Sequence, residues 1–134
     1  MRNFTWTINS TRDVAIYVQA DNVTAVIANQ HLCGINGSQT PFLLIVVCSA
    51  VDNFEAREVI RETWMKGDHV ERTNGTEALL VRTVFLLGRP LNDSRQNDVF
   101  AESNIHGDII QEGFHDAYLN LTLKVIPVVL TSFV

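Results

Sequence analysis

The chain has 134 residues, of which 46% are hydrophobic and 19% charged, so it suits one domain with a buried core and is not typical of disorder. Lys and Arg total 10 against 15 Asp and Glu, and the net charge of −5 argues against nucleic acid as a partner, since a phosphate backbone requires a basic face. The two lysines, Lys66 and Lys124, are too few for a polybasic membrane patch.

The N-terminal part of the chain shows only weak strand patterns, and residues 14–18 and 23–27 are expected to form short edge strands. Residues 42–48 are continuously apolar and rich in β-branched side chains, with turn residues on either side. This run predicts a strand that is buried on both faces, as in a parallel sheet. Cys48 is therefore expected to be buried, and Cys33 to pair with a cysteine outside this chain.

Residues 54–66 are predicted to form a helix with one stripe of residues facing the core. The stripe consists of Ala56, Ile60, Thr63 and Trp64. A polar loop over residues 68–79 then leads to a second apolar strand at residues 81–87.

The last third of the chain predicts a helix over residues 93–105 that ends at Gly107. A short strand follows at residues 108–110, then a loop over residues 111–116, and Asp116 is expected to cap a third helix. The resulting order β-α-β-α-β-α predicts an α/β fold, with a parallel, Rossmann-like sheet covered on both faces.

In such sheets, ligands bind beyond the carboxyl ends of the strands. Three segments are expected at that edge, namely residues 49–57, 88–93 and 111–116. Arg57 and Arg61 lie four residues apart on the first helix, and Arg57 lies near its positive end. A planar guanidinium suits a phosphate group or a uracil carbonyl. The alternative is a solvated helix face that the arginines share with neighbouring glutamates.

Asparagine usage predicts the cellular compartment. Seven of the 11 asparagines begin an N-x-Ser/Thr triplet, where chance gives about one or two. They are Asn3, Asn9, Asn22, Asn36, Asn74, Asn92 and Asn120. Such triplets are glycosylated only in the secretory lumen, so a lumenal or extracellular glycoprotein is expected.

This expectation requires a targeting element. Residues 1–20 contain no apolar core of a signal peptide, and residues 42–48 fall far short of the ~20 apolar residues of a spanning helix. Residues 125–134 are apolar up to the last position. We therefore expect the chain to be part of a longer protein whose membrane anchor lies upstream.

Four ordered blocks resemble the β-1,3-galactosyltransferase family, which includes β-1,3-N-acetylglucosaminyltransferases. Residues 42–50 resemble the family's first strand and its serine-containing turn, and residues 57–64 match R-x-x-I-R-x-T-W. Residues 84–88 resemble its F-L-L-G strand, and residues 107–124, with Glu102 before them, resemble its E…G-D-I-I-Q…F-x-D-x-Y-x-N-L-T-L-K block.

The resemblance implies a GT-A glycosyltransferase fold in a type II membrane protein on the lumenal side of the Golgi. Such enzymes transfer galactose or N-acetylglucosamine from a UDP-sugar to a glycan acceptor on a glycoprotein or glycolipid, with inversion and usually with Mn²⁺. By the same resemblance, the residues expected near the UDP moiety are Ser49, Arg57, Arg61 and Asp116.

The resemblance also divides the chain into a lumenal stem (residues 1–40), a partial galactosyltransferase domain (41–124) and a divergent apolar tail (125–134). The family's metal-binding D-x-D motif does not occur in this sequence, and the carboxylate expected as general base lies further along the family's chain. We therefore expect a donor-binding half that is inactive in isolation. The alternatives are a non-catalytic lumenal glycoprotein, which binds nucleotide or pairs with a full-length relative, and an unrelated nucleotide-binding α/β domain.

Overall fold

The computed structural model describes Ala15 and residues 24–33, 40–66, 69–71 and 79–124. The strands and α-helices with described bounds are β1 (Ala25–Ile27), β2 (Leu43–Cys48), α1 (Phe54–Glu62), β3 (His69–Glu71), β4 (Leu79–Arg89), α2 (Asp93–His106) and β5 (Ile109–His115). Single 3-10 turns occur at Gln30–Cys33 and Tyr118–Asn120. No helix in these ranges has the length and apolar character needed to cross a bilayer.

The strands form one sheet in the order β1-β5-β4-β2, with β3 added beside the start of β4. β4 is parallel to β2 and to β5, while β1 and β3 pair antiparallel with their neighbours. The central three strands and the two helices thus confirm the predicted α/β, Rossmann-like order.

Alternate residues of the strands supply a core on each face of the sheet, as the two-residue period of a strand requires. One core consists of Leu32, Val84, Leu86 and Ile110, with Leu44 and Val46 packed against it. The other consists of Val51, Phe85, Leu87, Val99 and Ile109, with Ile27, Val47, Ile60 and Met65 packed against it. β4 and β5 each contribute residues to both cores.

β2 is less buried than predicted. Its middle residues 44–47 are half-buried and its end residues Leu43 and Cys48 are exposed, so the predictions of burial on both faces and of a buried Cys48 are wrong. Among the described residues, β2 pairs with β4 and forms an edge of the sheet, which accounts for the difference.

The predicted inward stripe of α1 is wrong. Ala56, Thr63 and Trp64 are exposed and Ile60 is half-buried, whereas Arg57 is the buried residue of this helix. The helix packs its basic side against carboxylates from other elements, so hydrophobic periodicity could not identify its buried face.

Two predicted loops are partly strands. The loop predicted over residues 68–79 contains β3, which pairs antiparallel with the first residues of β4. The loop predicted over residues 111–116 is mostly the second half of β5. Its polar residues Gln111 and Glu112 are fully buried, a pattern that apolar periodicity does not reveal.

The predictions at the chain's other elements have mixed outcomes. α2 and its left-handed end at Gly107 are confirmed, and the edge strand expected at residues 23–27 is confirmed as β1. The edge strand expected at residues 14–18 lies outside the described residues except for Ala15, whose backbone is helical. Asp116 does not cap a helix, because the chain continues into the turn at Tyr118–Asn120 before residues 121–124 become helical.

Glu112 gives the domain an expected pH dependence. Its side chain is buried in β5, and its Oε2 has no hydrogen-bond partner among the described residues. Burial raises its pKa to about 7, although a contact with Thr24 acts in the opposite direction. The folded state therefore holds a proton that the unfolded chain releases near pH 4.5. This contribution, about 3 kcal/mol, is fully present below pH 4.5 and is lost as the pH rises to 7 and above.

We expect Glu112→Gln to remove this dependence, since glutamine keeps the shape without the charge. Relative to wild type, the variant gains stability as the pH is raised from about 5 to 8 in urea titrations followed by circular dichroism. Glu55→Gln, at an exposed position of α1, is the matched control. A constant difference between Glu112→Gln and wild type across this range would contradict the assignment.

Candidate functional site

A cleft of about 350 Å³ lies beyond the carboxyl ends of β2, β4 and β5. Its lining comes from residues 50–52 after β2, residues 90–92 and Arg95 after β4, and His115 and Asp116 at the end of β5. The three segments that the sequence placed at the ligand-binding edge therefore meet around one concave surface.

Gly88 allows these strand ends to approach each other closely. A Cβ atom at position 88 would lie 2.7 Å from Phe114 Cε2 and 2.8 Å from Asp116 Cα. Both distances are below ordinary van der Waals contact, and the second involves backbone. Glycine is thus required here for space, and it sets the position of Asp116.

Asp116 connects two sides of the cleft. Its Oδ2 accepts a hydrogen bond of 2.8 Å from the Val51 N–H, and its Oδ1 lies 2.6 Å from Lys124 Nζ. Lys124 Nζ also donates to the Ser49 carbonyl oxygen at 2.9 Å. The carboxylate is thus anchored to the turn after β2 and to a buried ammonium group.

All five N–H groups of Arg57 bind protein acceptors. Nε and Nη2 donate to the two carboxylate oxygens of Glu102 at 2.8 and 2.7 Å. Nη1 donates to Ser49 Oγ at 3.0 Å and to the Ala50 carbonyl at 2.6 Å, and Nη2 to the Val51 carbonyl at 3.1 Å. Arg57 is 1% exposed, so in this structure it supports the turn after β2 from beneath and has no N–H group left for a phosphate oxygen.

Arg61 belongs to the same buried network. It donates to Asp108 at 2.7 and 2.8 Å, to Glu102 at 2.8 Å and to Glu58, and its guanidinium lies 4.9 Å from the centre of the Phe85 ring. Burial alone would lower the pKa of Arg61, but the hydrogen bonds that it donates to Asp108 and Glu102 outweigh this effect and raise the pKa. The guanidinium is therefore permanently charged and held between carboxylates.

Glu102 is the acceptor that joins the two arginines. Burial would raise its pKa, but the hydrogen bonds from Arg57 and Arg61 outweigh that effect and lower the pKa below 4.5. The pairs lie 41 and 45 residues apart in the chain, so no local spacing in the sequence indicated them. Neither interpretation of the arginine pair anticipated this arrangement, and the solvated helix face is wrong.

Arg95 is a cation of the cleft that the sequence analysis missed. It lies in the first turn of α2, its side chain is 58% exposed, and it pairs with the even more exposed Asp52 at 3.5 Å. Such an exposed ion pair contributes little and exchanges readily, which leaves the guanidinium available to an anion. Its position three residues after Asn92, at the start of a helix that follows a strand, was the available signal.

Two of the seven candidate glycosylation asparagines lie within the described residues. Asn92 is exposed, and its side-chain oxygen accepts a 2.8 Å hydrogen bond from the Ser94 N–H at the start of α2. Asn120 is half-buried and donates to the His115 carbonyl at 2.9 Å. The other five lie outside the described residues.

The described residues do not fit the Mn²⁺ ion that the family resemblance implies. Across these ranges, no group of three or more His, Cys, Asp or Glu side chains could hold a metal ion. Asp116, the buried carboxylate of the cleft, already contacts Lys124 and the Val51 N–H.

Parallel strands, flanking helices and a cleft beyond the carboxyl ends together define a Rossmann-like α/β domain. Residues 55–133, more than half of the chain, match the family model described as Galactosyltransferase. The chain belongs to this galactosyltransferase family.

The similar proteins are consistent with this membership. The chain is 41% identical over 99 residues to mouse beta-1,3-galactosyltransferase 4 and 41% identical over 104 residues to the human protein of that name, in each case over 74% of this chain. It is 43% identical over 84 residues, 63% of this chain, to mouse beta-1,3-galactosyltransferase 1. These matches span 24%, 26% and 24% of the three relatives, so the chain covers about a quarter of their length.

Proposed function

We propose that this chain is the donor-binding part of a β-1,3-galactosyltransferase, and that the cleft beyond β2, β4 and β5 holds the UDP moiety of a UDP-sugar. The main support for this proposal is that the ends of three parallel strands meet at one cleft in a member of the galactosyltransferase family. The whole protein would transfer galactose to a hydroxyl of a glycan on a glycoprotein or glycolipid, with inversion.

The geometry supports different roles for the buried and the exposed cationic residues. Arg57 is proposed to fix the turn that contains Ser49 through its hydrogen bonds to that turn. Arg61 is proposed to hold the Glu102 carboxylate that binds Arg57. Arg95 is proposed to bind the diphosphate directly, because its guanidinium is exposed at the cleft and lies in the first turn of α2, where the helix dipole also favours an anion.

Arg95→Ala is expected to weaken UDP binding by about tenfold, the usual worth of one charge-assisted contact of about 1–2 kcal/mol. The dissociation constants of UDP, UDP-galactose and ADP would be measured by isothermal titration calorimetry on the 134-residue chain. The wild-type chain is expected to bind the uridine nucleotides and to discriminate against ADP.

Lys66→Ala removes an exposed cation that does not line the cleft and serves as the control. Wild-type protein that binds no UDP, or that binds ADP equally well, would overturn the proposed function. An unchanged UDP affinity in Arg95→Ala would overturn the role given to Arg95 only.

The remaining assignments are also proposals. The galactosyltransferase names of the relatives favour galactose over N-acetylglucosamine as the sugar. We propose a Golgi lumenal location, supported by the seven sequons, and expect peptide N-glycosidase to reduce the mass of the protein expressed in a secretory cell.

The isolated chain is proposed to bind the sugar donor without transferring the sugar. Transfer of galactose from UDP-galactose by this chain in the presence of Mn²⁺ would refute this proposal.

A further inference from the structure

Lys124 is a buried cation directly behind the proposed donor cleft. Its side chain is 5% exposed, and its Nζ contacts Asp116 Oδ1 at 2.6 Å and the Ser49 carbonyl at 2.9 Å. Through Asp116, whose other oxygen accepts from the Val51 N–H, Lys124 links the turn after β2 to the end of β5. Sequence reasoning assigned Lys124 no role.

The charge of this group matters because Asp116 lines the cleft. A carboxylate of low exposure, here 7%, facing a nucleoside diphosphate would place like charges close together in a poorly solvated region. An ammonium group at 2.6 Å cancels most of that field while leaving the hydrogen bond to Val51 intact.

We propose that Lys124 is a positioning residue of the donor cleft, which neutralises Asp116 and holds the turn at residues 49–51 so that the cleft accepts an anionic nucleoside diphosphate. This inference rests on the proposed function. It assigns Lys124 an electrostatic effect on the diphosphate and no direct contact with the ligand.

Comparison of UDP with uridine on the 134-residue chain separates this effect from a purely structural one. Uridine carries no phosphate, so loss of neutralisation affects UDP alone, whereas a distorted turn weakens both ligands. We expect Lys124→Met to raise the dissociation constant of UDP by about fivefold or more and that of uridine by less than about twofold. In the double variant Lys124→Met/Asp116→Asn, the UDP dissociation constant is expected to return to within about twofold of wild type.

Asp116→Asn alone provides a second test that survives misfolding of Lys124→Met, since asparagine can still accept from the Val51 N–H. It leaves the Lys124 charge uncompensated, and UDP binding is expected to tighten by about threefold while uridine binding is unchanged. Lys66→Met, at an exposed position outside the cleft, is the control for the loss of a lysine.

The possible failures are distinguishable. Equal weakening of UDP and uridine in Lys124→Met, no rescue in the double variant, or unchanged or weaker UDP binding in Asp116→Asn would each overturn the role of Lys124 and leave the proposed function standing. Wild-type protein that binds neither ligand would overturn the proposed function and this inference with it.

Discussion

Replacing Glu102 with alanine is expected to lower the free energy of unfolding by about 3–5 kcal/mol, the usual cost of removing one partner of a buried ion pair. The carboxylate accepts three hydrogen bonds from Arg57 and Arg61, and its side chain is 3% exposed. Without it, two guanidinium groups keep their charge in a buried region with too few acceptors. Urea denaturation followed by circular dichroism at neutral pH measures the change.

Glu62→Ala makes the same substitution at an exposed position of α1 and is expected to change stability by less than about 0.5 kcal/mol. The dependence of stability on pH in the acid range gives a second measurement. Since the pKa of Glu102 is lowered in the folded state, its stabilisation is present above pH 4.5 and is lost on acidification, and Glu102→Ala should lack this loss. Equal stability of Glu102→Ala and Glu62→Ala would show that the network contributes nothing.

The second large effect is expected at Gly88, where alanine should destabilise the domain by about 1–3 kcal/mol or more. The added methyl would lie 2.8 Å from Asp116 Cα, and a backbone atom yields less readily than the end of a flexible side chain. The end of β5 must move away from β4, which carries Asp116 away from the turn after β2. UDP binding is therefore expected to fall together with stability.

Gly113→Ala is the comparison within the same strand pair, since its added Cβ would have one close neighbour, the Thr24 carbonyl oxygen at 3.1 Å. We expect a smaller loss of stability than for Gly88→Ala and an unchanged affinity for UDP. Thermal unfolding and calorimetric UDP titration of both variants give the order, and the reverse order would contradict the packing argument for Gly88.

Local signals predicted much of the fold. The β-branched run that forms β2 and the apolar residues of β4 indicated neighbouring parallel strands, and the glycine at position 107 indicated the end of α2. The second half of β5 was predicted as a loop because it contains the polar residue Gln111. In the structure Gln111 is buried, and it forms hydrogen bonds with Gln96 and with the Gly88 carbonyl. A buried polar residue that is satisfied by distant partners looks like a loop residue in the sequence.

At the candidate site, too, local signals predicted some features, while others depend on partners that are distant in the chain. Membership in a nucleotide-binding class of fold placed the three segments at one edge of the sheet, and the structure brings them around one cleft. The roles within the site depend on partners far apart in the chain. Arg57, which the sequence presented as a phosphate ligand, is saturated by Glu102 and the turn after β2, whereas the accessible cation of the cleft is Arg95.

The amino-acid sequence alone determined the family, the alternation of strands and helices and the edge of the sheet where the candidate cleft lies, because these follow from local patterns and ordered motifs. Only the tertiary structure decided which charged side chains form buried ion pairs with each other and which face the cleft. The charge of a residue is written in the sequence, but its availability depends on burial and on partners that the fold brings within about 3 Å.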